Sequence, residues 1–221
     1  MSRRLLVACE GETDYIVIQA AADSIVGEYV PVRLQPEETA VDGGFGARGG
    51  GWKGVQKWCG EVREQGGIDA LYPHDSIVVV HLDADVADDA EIDCAKPCPP
   101  PEATVDAVVA VASKWLGFDE LPTRLVWCVP SKNTEAWILA SQFPANAHVA
   151  TIECRAEPQS LLVGLSPKFV AKKGRKYRKI TPVYAAARSA IASTWLQLEG
   201  RCTEAKRFGD ALRVAFVLLV L

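Results

Sequence analysis

The sequence predicts an α/β fold, in which a mostly parallel sheet carries helices on both faces and a basic and helical extension follows. Two observations predict this class. Over roughly the first 140 residues, short apolar runs alternate about four times with stretches of helical periodicity. One of those runs, residues 77–82, is apolar almost without interruption and includes three consecutive valines, as is typical of a strand buried on both faces.

Four apolar runs supply the strands of the predicted sheet: residues 5–9, 29–34, 77–82 and 125–129. The second run is the weakest, because Pro31 cannot donate a hydrogen bond to a neighbouring strand. Helices are predicted at residues 15–26, 52–65, 102–116 and from about residue 133. Thr13 or Asp14 caps the first of these helices. Asn133 or Thr134 caps the fourth.

The alternation fades beyond Pro144, so we predict two regions. An α/β domain covers residues 1–145, and an extension over residues 146–221 packs on it. Within the extension, residues 168–179 contain seven basic and no acidic side chains. Two helices are expected after this basic segment, at residues 180–198 and 202–221.

Composition limits the class of protein. Of the 221 residues, 49% are hydrophobic, which is enough for one large domain or for a domain with an appended piece. The formal net charge is −4, so nucleic acid would have to bind through a local basic patch. No run reaches the roughly 18 apolar residues that cross a membrane, and the terminal run 215–221 is expected to be buried. No secretory signal precedes the first strand, so we expect a cytoplasmic protein without membrane partners.

Five of the seven cysteines are predicted to be thiols, and a structural zinc site is the alternative for two of them, Cys94 and Cys98. Cys9, Cys59 and Cys128 lie in apolar or helical contexts and are predicted to be buried. Cys94 and Cys98 form a C-x3-C pair, but no second Cys/His pair lies at zinc-finger spacing. We therefore predict that these two are unpaired and reduced, in keeping with a cytoplasmic location.

Acidic residues follow three of the predicted strands: Glu10 the first, Asp83 and Asp85 the third, and Glu135 the fourth. Each has an ordinary explanation by itself, since acidic residues favour helix starts and aspartate favours turns. The carboxyl ends of parallel strands meet at one edge of the sheet, however, so the four side chains are expected to converge. Clustered carboxylates repel one another unless a cation or a substrate compensates them. The sequence therefore predicts a Mg²⁺ or Mn²⁺ site, with Asp14 as a further ligand.

Two motifs lie about 70 residues apart: the turn Glu10-Gly-Glu-Thr-Asp14 after the first strand, and the pair Asp83-x-Asp85 after the third. Together they resemble the Toprim domain of topoisomerases, bacterial primases and overcoming-lysogenization-defect nucleases. The later segment Glu-Ala-Trp-Ile-Leu, which begins at Glu135, is further similar to small stand-alone Toprim-like proteins of bacterial defence loci. Such proteins are often encoded beside an ATPase. The resemblance covers roughly residues 4–140.

The resemblance implies a role for each acidic residue. Glu10 matches the family glutamate that acts as general acid/base or as a metal ligand. Asp83 and Asp85 match the aspartates that hold Mg²⁺, and Glu135 matches a late acidic residue expected to be a further ligand. Asp14 matches a recurrent acidic position. No tyrosine nucleophile of the topoisomerase kind matches, so the resemblance implies a Mg²⁺-dependent nuclease that uses water, in phage defence and with an ATPase partner.

The basic segment, residues 168–179, can compensate an acidic site toward a nucleic-acid backbone. Its expected phosphate contacts are its seven cations: Lys168, Lys172, Lys173, Arg175, Lys176, Arg178 and Lys179. Tyr177 within it is available to stack on a base. The alternative interpretation is a solvated basic loop that binds nothing.

A glycine-rich stretch, residues 43–54, raises the same question about phosphate. Arg48 and Lys53 within it could reach a phosphate group. The P-loop pattern fails, however, because neither Ser nor Thr follows Lys53. The alternative is a plain surface loop.

Two other function classes stay open. The Asp83-x-Asp85 pair after an apolar strand also resembles the metal-binding motif of glycosyltransferases, which would leave Glu10 and Glu135 unexplained. A non-catalytic Toprim-like module that docks on an ATPase and senses nucleic acid or a phage protein would keep the fold without the chemistry. Divalent-dependent cleavage that Asp83→Ala abolishes, in a protein that stays folded, separates a nuclease from both.

Overall fold

The computed structural model describes residues 3–37, 46–117 and 122–219. It confirms the predicted fold class, because a four-stranded, all-parallel sheet carries helices on both faces. The strands lie in the order β2-β1-β3-β4. They are β1 (Arg4–Ala8), β2 (Val30–Gln35), β3 (Ser76–His81) and β4 (Leu125–Cys128). Each strand lies within one residue of a predicted run.

The described residues form eight α-helices: α1 (Glu12–Ile25), α2 (Gly51–Glu64), α3 (Ile68–Leu71), α4 (Pro101–Leu116), α5 (Thr134–Gln142), α6 (Thr181–Ser193), α7 (Trp195–Glu199) and α8 (Thr203–Leu218). Helices α2 and α4 cover one face of the sheet, and α1, α5, α6, α7 and α8 cover the other. Short 3-10 helices lie at Ala84–Asp88, Val149–Cys154 and Pro158–Leu162. Across these described ranges, none of the helices combines the length and the apolar character that crossing a membrane requires.

The sheet separates two apolar cores, because successive side chains of a strand point to opposite faces. On β3, Ile77 and Val79 enter the core beneath α1 and α5. Val78 and Val80 enter the core beneath α2 and α4. All six residues of β3 are buried, as the middle of a parallel sheet requires. The edge strand β2, which contains Pro31, is partly exposed.

Aromatic side chains tie the carboxyl-terminal helices to the first of these cores. Trp137 of α5 meets Trp195 of α7 edge-on, with ring centroids 5.7 Å apart, and stacks with Phe208 of α8 at 6.2 Å. Phe169 and Tyr184 meet edge-on at 5.1 Å. Such rings bury large apolar areas and prefer these geometries. The residues after the predicted boundary at 145 therefore share a core with β1 and β3.

The carboxyl-terminal helices differ from the prediction in two ways. The helix predicted at residues 180–198 is in fact two helices, α6 and α7. Thr194 lies between them, and its hydroxyl donates to the carbonyls of Ala190 and Ile191. The terminal apolar run is only partly buried, since Val217 and Leu218 are exposed on α8. The last two residues of that run, 220 and 221, lie outside the described residues.

The basic segment forms a β-hairpin that the sequence did not predict. Its strands are β5 (Val170–Lys173) and β6 (Lys176–Lys179), which pair in antiparallel register. Gly174 lies at the turn with φ +62°, a conformation that glycine adopts without strain. The alternation of inward and outward side chains is hard to recognise here, because Lys179, one of the inward residues, is itself charged.

The prediction that Cys98 is an unpaired thiol is wrong. Cys98 forms a disulfide with Cys154, and their Cα atoms lie 5.3 Å apart. The partner was not apparent in the sequence, because 56 positions separate the two cysteines and the fold brings them together. Cys94 is free, as predicted. The predicted buried thiols at Cys9, Cys59 and Cys128 are confirmed.

Candidate metal centre

The strand order creates a crevice at the carboxyl edge of the sheet. The chain leaves β1 toward β2 and then crosses back to β3 on the other side of β1, so the order reverses between β1 and β3. Glu10 follows β1 and Asp83 follows β3. The backbone N–H of Asp83 donates a hydrogen bond to Glu10 Oε1 at 2.8 Å. These two predicted site residues therefore lie side by side.

Among the residues that the structure describes, Asp14, His81 and Asp83 form a compact group of possible metal ligands. One ligand atom from each lies within 4.8 Å of the others, and all three residues are buried. His81 ends β3, and Asp83 lies two positions further along the chain. Asp14 lies in the first turn of α1. The turn after β1 thus brings a carboxylate to the same side of the sheet as the end of β3.

The chemistry of this group fits a divalent cation. His81 Nε2 lies 3.2 Å from Asp83 Oδ1. Both ring nitrogens are buried, and neither has a hydrogen-bond partner of good geometry among the described residues, which is costly for an imidazole unless a ligand satisfies one of them. Two carboxylates and one imidazole form a mixed oxygen and nitrogen donor set, which suits Mn²⁺ or another transition metal better than Mg²⁺.

A lysine lies between two of the buried carboxylates. Lys179 Nζ is 3.2 Å from Asp14 Oδ1 and 3.0 Å from Glu135 Oε1. The Thr134 hydroxyl donates to Asp14 Oδ1 at 2.6 Å. The Tyr184 hydroxyl donates to Glu135 Oε1 at 2.8 Å. The ammonium group and the two hydroxyls therefore hold both carboxylates in fixed positions.

These contacts set the protonation of the three charged groups. Burial opposes ionisation of Asp14, but the Lys179 ammonium outweighs it and lowers the pKa of Asp14. Burial raises the pKa of Glu135, and Lys179 offsets this only in part. Burial also opposes the charge on Lys179, yet Asp14 and Glu135 together raise its pKa well above the ordinary value. Lys179 is therefore a permanent cation within the cluster.

Excess negative charge remains around Asp83. Burial and the charge of Asp83 raise the pKa of Glu10 to about 8. The same two causes raise the pKa of Asp85 to about 7, although Asp85 keeps an exposed surface, so the effect is weaker there than at the less exposed Glu10. Burial disfavours the protonated form of His81, but the adjacent Asp83 carboxylate outweighs it and raises the pKa of His81 to about 9. In the absence of a cation, protons on Glu10, Asp85 and His81 therefore reduce the negative charge around Asp83. A bound divalent cation would take over this compensation.

A cavity of about 380 Å³ opens beside this cluster. Asp83, Asp85 and Glu135 line it on the acidic side, and residues of the β5–β6 hairpin line it as well. The loop that carries Asp85 is fixed to the next segment, since the Asp85 N–H donates to the Lys132 carbonyl at 3.1 Å. Asp85 lines the cavity but does not belong to the compact group with His81.

The basic residues of the hairpin divide into two sets. Lys179 lies in the carboxylate cluster, whereas the other six predicted phosphate contacts are exposed: Lys168, Lys172, Lys173, Arg175, Lys176 and Arg178. Arg175 and Lys176 line the mouth of the cavity. The exposed basic side chains thus lie near the acidic residues of the cavity but do not contact the carboxylate cluster.

The glycine-rich stretch touches the edge of this site through its backbone, since the Gly51 N–H donates to the Glu10 carbonyl at 2.9 Å, but its two cations lie elsewhere. Arg48 pairs with Glu37 and Glu61, and Lys53 pairs with Glu91. Both cations are therefore engaged with carboxylates on the surface, which favours a plain surface loop. Residues 43–45 of the stretch lie outside the described residues.

Sequence reasoning missed the role of several residues around the cluster. His81 was treated as part of a buried strand, although its position two residues before Asp83 puts both on one side of β3. For Lys179 the sequence predicts a contact with a phosphate group of nucleic acid. For Tyr184 it predicts only a position in a helix. The contacts of Lys179 and Tyr184 with Glu135 join residues more than 40 positions apart, so only the fold reveals them.

Comparison of the chain with protein-family models, with curated proteins and with solved structures gives no match. The function therefore has to be argued from the geometry of the site.

Proposed function

We propose that this protein hydrolyses phosphodiester bonds of nucleic acid with the help of a divalent cation. The observation that carries the proposal is a juxtaposition. A buried group of Asp14, His81 and Asp83, with ligand atoms within 4.8 Å of one another, lies beside a cavity that residues of a basic hairpin also line. Such a reaction has two requirements. Carboxylates bind the divalent cation, and exposed basic side chains attract the phosphate backbone.

Asp14, His81 and Asp83 are the residues that would hold the cation. A divalent cation bound there supplies charge neutralisation at the phosphate and lowers the pKa of a water molecule. Hydrogen bonds from Thr134 orient two of these ligands, Asp83 and Asp14. The Thr134 N–H donates to Asp83 Oδ1 at 3.2 Å, and the Thr134 hydroxyl donates to Asp14 Oδ1 at 2.6 Å. Partners of this kind fix ligand geometry.

Lys179 is the second source of positive charge on the acidic side of the cavity. Its ammonium group is held 3.0 Å from Glu135 and 3.2 Å from Asp14, and it lines the cavity. A fixed donor at that position stabilises negative charge that develops on a phosphoryl oxygen, without reorganisation during the reaction. Glu10, next to Asp83, is the candidate general acid or base that the Toprim resemblance implies.

The test is cleavage of labelled DNA and RNA oligonucleotides, each single-stranded and duplex, with Mn²⁺, Mg²⁺ or EDTA. We expect cleavage with a divalent cation and none with EDTA. Asp83→Asn should lower the rate by more than the roughly 10- to 100-fold cost of changing an outer-shell partner. Asp88→Asn, an exposed acid of the same loop, is the matched control and should leave the rate unchanged. Equal cleavage by wild type and Asp83→Asn would contradict the proposal.

A second candidate is a binding module without catalysis. One observation favours it: Lys179 already compensates Asp14 and Glu135, so the cluster is stable without a second cation. If Mn²⁺ binds to the wild type and no nucleic acid is cut, this second candidate replaces the first. The ATPase partner and the defence role stay predictions from the resemblance, and co-purification with the neighbouring gene product tests the partner.

A further inference from the structure

The hairpin presents two different faces to its surroundings. Tyr177 and Lys179 are two positions apart on β6, so their side chains point the same way, and both line the cavity. Lys172 is paired with Tyr177 across the hairpin and lies over its ring, with Nζ 5.8 Å from the centroid. Arg178 points to the opposite face and is exposed. The cavity face therefore combines an aromatic ring with cations, whereas Arg178 on the outer face offers charge alone.

The wall next to the carboxylates carries an amide pair. Asn133 Nδ2 donates to Gln159 Oε1 at 2.8 Å, and both residues line the cavity. Asn133 is only 5% exposed, yet its Oδ1 has no hydrogen-bond partner among the described residues. A buried carbonyl oxygen that has no partner and lies at a cavity indicates that a bound ligand donates a hydrogen bond to it. The N–H groups of the Gln159 amide are hydrogen-bond donors next to this acceptor. The pair therefore offers a donor and an acceptor, which the edge of a nucleic-acid base requires.

The size of the cavity limits what can enter. At about 380 Å³ it lies near the lower end of the range for sites that hold one small molecule. One nucleotide fits such a space, whereas a base pair with both of its backbones does not. A base inside it would have the Tyr177 ring on one side and the Asn133–Gln159 amides at its edge, with its phosphate toward Lys179.

We propose, on the basis of the proposed function, that the cavity accepts one unpaired nucleotide and that the substrate is single-stranded nucleic acid. Stacking on an aromatic ring is tolerant of sequence, because every base has a π face. The exposed cations of the hairpin, such as Lys173 and Arg178, then follow the backbone outside the cavity. A base-paired strand reaches these outer cations but not the cavity.

The test compares the affinities for a fluorescein-labelled 20-nucleotide oligothymidine and a 20-base-pair duplex by anisotropy, at one fixed salt concentration. Ca²⁺ replaces Mn²⁺ to keep the strands intact, which gel electrophoresis checks after the titration. We expect the single strand to bind at least about tenfold more tightly than the duplex. Tyr177→Leu should weaken single-strand binding about tenfold and leave duplex binding unchanged, whereas Tyr177→Phe should bind like the wild type.

Arg178→Gln on the outer face is the matched control, and it should weaken both complexes by the same factor, because it removes only a charge. Equal affinity for the two nucleic acids, or an equal loss in both on Tyr177→Leu with an unchanged melting temperature, would overturn the inference. The cleavage assay keeps the two proposals apart. Cleavage of duplex as fast as single strand overturns only the present inference, whereas preferred single-strand binding without any cleavage overturns only the nuclease.

Discussion

Glu10 accepts a hydrogen bond from the backbone N–H of Asp83 at 2.8 Å, although 73 positions separate the two residues. The bond joins the turn after β1 to the turn after β3 at the reversal of strand order. It leaves the Asp83 side chain free to face His81 and Asp14. Glu10 therefore positions the backbone of Asp83, whose side chain belongs to the buried group of possible metal ligands.

Mn²⁺ should stabilise the protein through Asp14, His81 and Asp83. A ligand that binds only the folded state at 100 times its dissociation constant adds about 2.7 kcal/mol to the free energy of unfolding. For a chain of this length, that corresponds to a rise in melting temperature of roughly 5–10 °C. Asp14→Asn and His81→Gln should each abolish the rise in a thermal melt. Asp88→Asn should retain it, and a rise that survives both ligand changes would exclude this group as the site.

Lys179→Met should destabilise the fold, because it removes the cation that compensates Asp14 and Glu135. Breaking a buried pair on one side costs about 3–5 kcal/mol, and the one-third exposure of the Lys179 side chain reduces this to about 2–3 kcal/mol. Chemical denaturation measures the loss. Lys173→Met, at an exposed position of the same hairpin, is the matched control and should change stability by less than about 0.5 kcal/mol.

The parallel sheet and the meeting of Glu10 with Asp83 could be predicted because both follow from local patterns. An unbroken apolar run such as residues 77–82 specifies a strand, and parallel strands bring the residues that follow them to one edge. Lys179 could not be assigned in the same way. Its charge predicts a solvated or phosphate-binding side chain, and only the packing of the hairpin against α5 and α6 takes it to Glu135.

The cysteine pairing shows the same limit. Cys94 and Cys98 were considered together because they are close in sequence, but the chain folds Cys98 onto Cys154 instead. Pairings over such a distance depend on how the segment Val149–Cys154 packs beside α5. A short motif records only local geometry, so it predicted an unpaired Cys98 and gave no sign of its distant partner.

The Cys98–Cys154 disulfide should contribute measurably to stability. It closes a loop with a sequence separation of 56, for which loss of chain entropy in the unfolded state corresponds to about 4 kcal/mol. Both cysteines are only half-buried, so a reductant can reach the bond. Dithiothreitol should lower the melting temperature of the wild type but not that of Cys154→Ser. Cys94→Ser, at a free cysteine, should respond to dithiothreitol like the wild type, and an unresponsive wild type would contradict the prediction.

Glu204 should make the protein less stable as pH rises. It is only 2% exposed, its Oε1 has no hydrogen-bond partner among the described residues, and its Oε2 lies 3.7 Å from Arg207. Burial raises the pKa of Glu204 from 4.5 to about 7, despite the Arg207 charge. Because the folded-state pKa is the higher one, ionisation costs more in the folded state. Stability is therefore lost as pH rises from about 4.5 to about 7, and the loss is complete above that range.

Glu204→Gln removes this titration, so the variant should gain on the wild type as pH rises. The gain in the free energy of unfolding should be near zero at pH 4.5 and should reach about 3 kcal/mol at most above pH 7. Urea denaturation of both proteins at a series of pH values gives the difference directly, and contributions of other groups cancel in it. Glu64→Gln at an exposed end of α2 measures the effect of removing a charge alone. A Glu204→Gln difference that is the same at pH 4.5 and pH 8 would show that Glu204 ionises as freely in the folded chain as in the unfolded one.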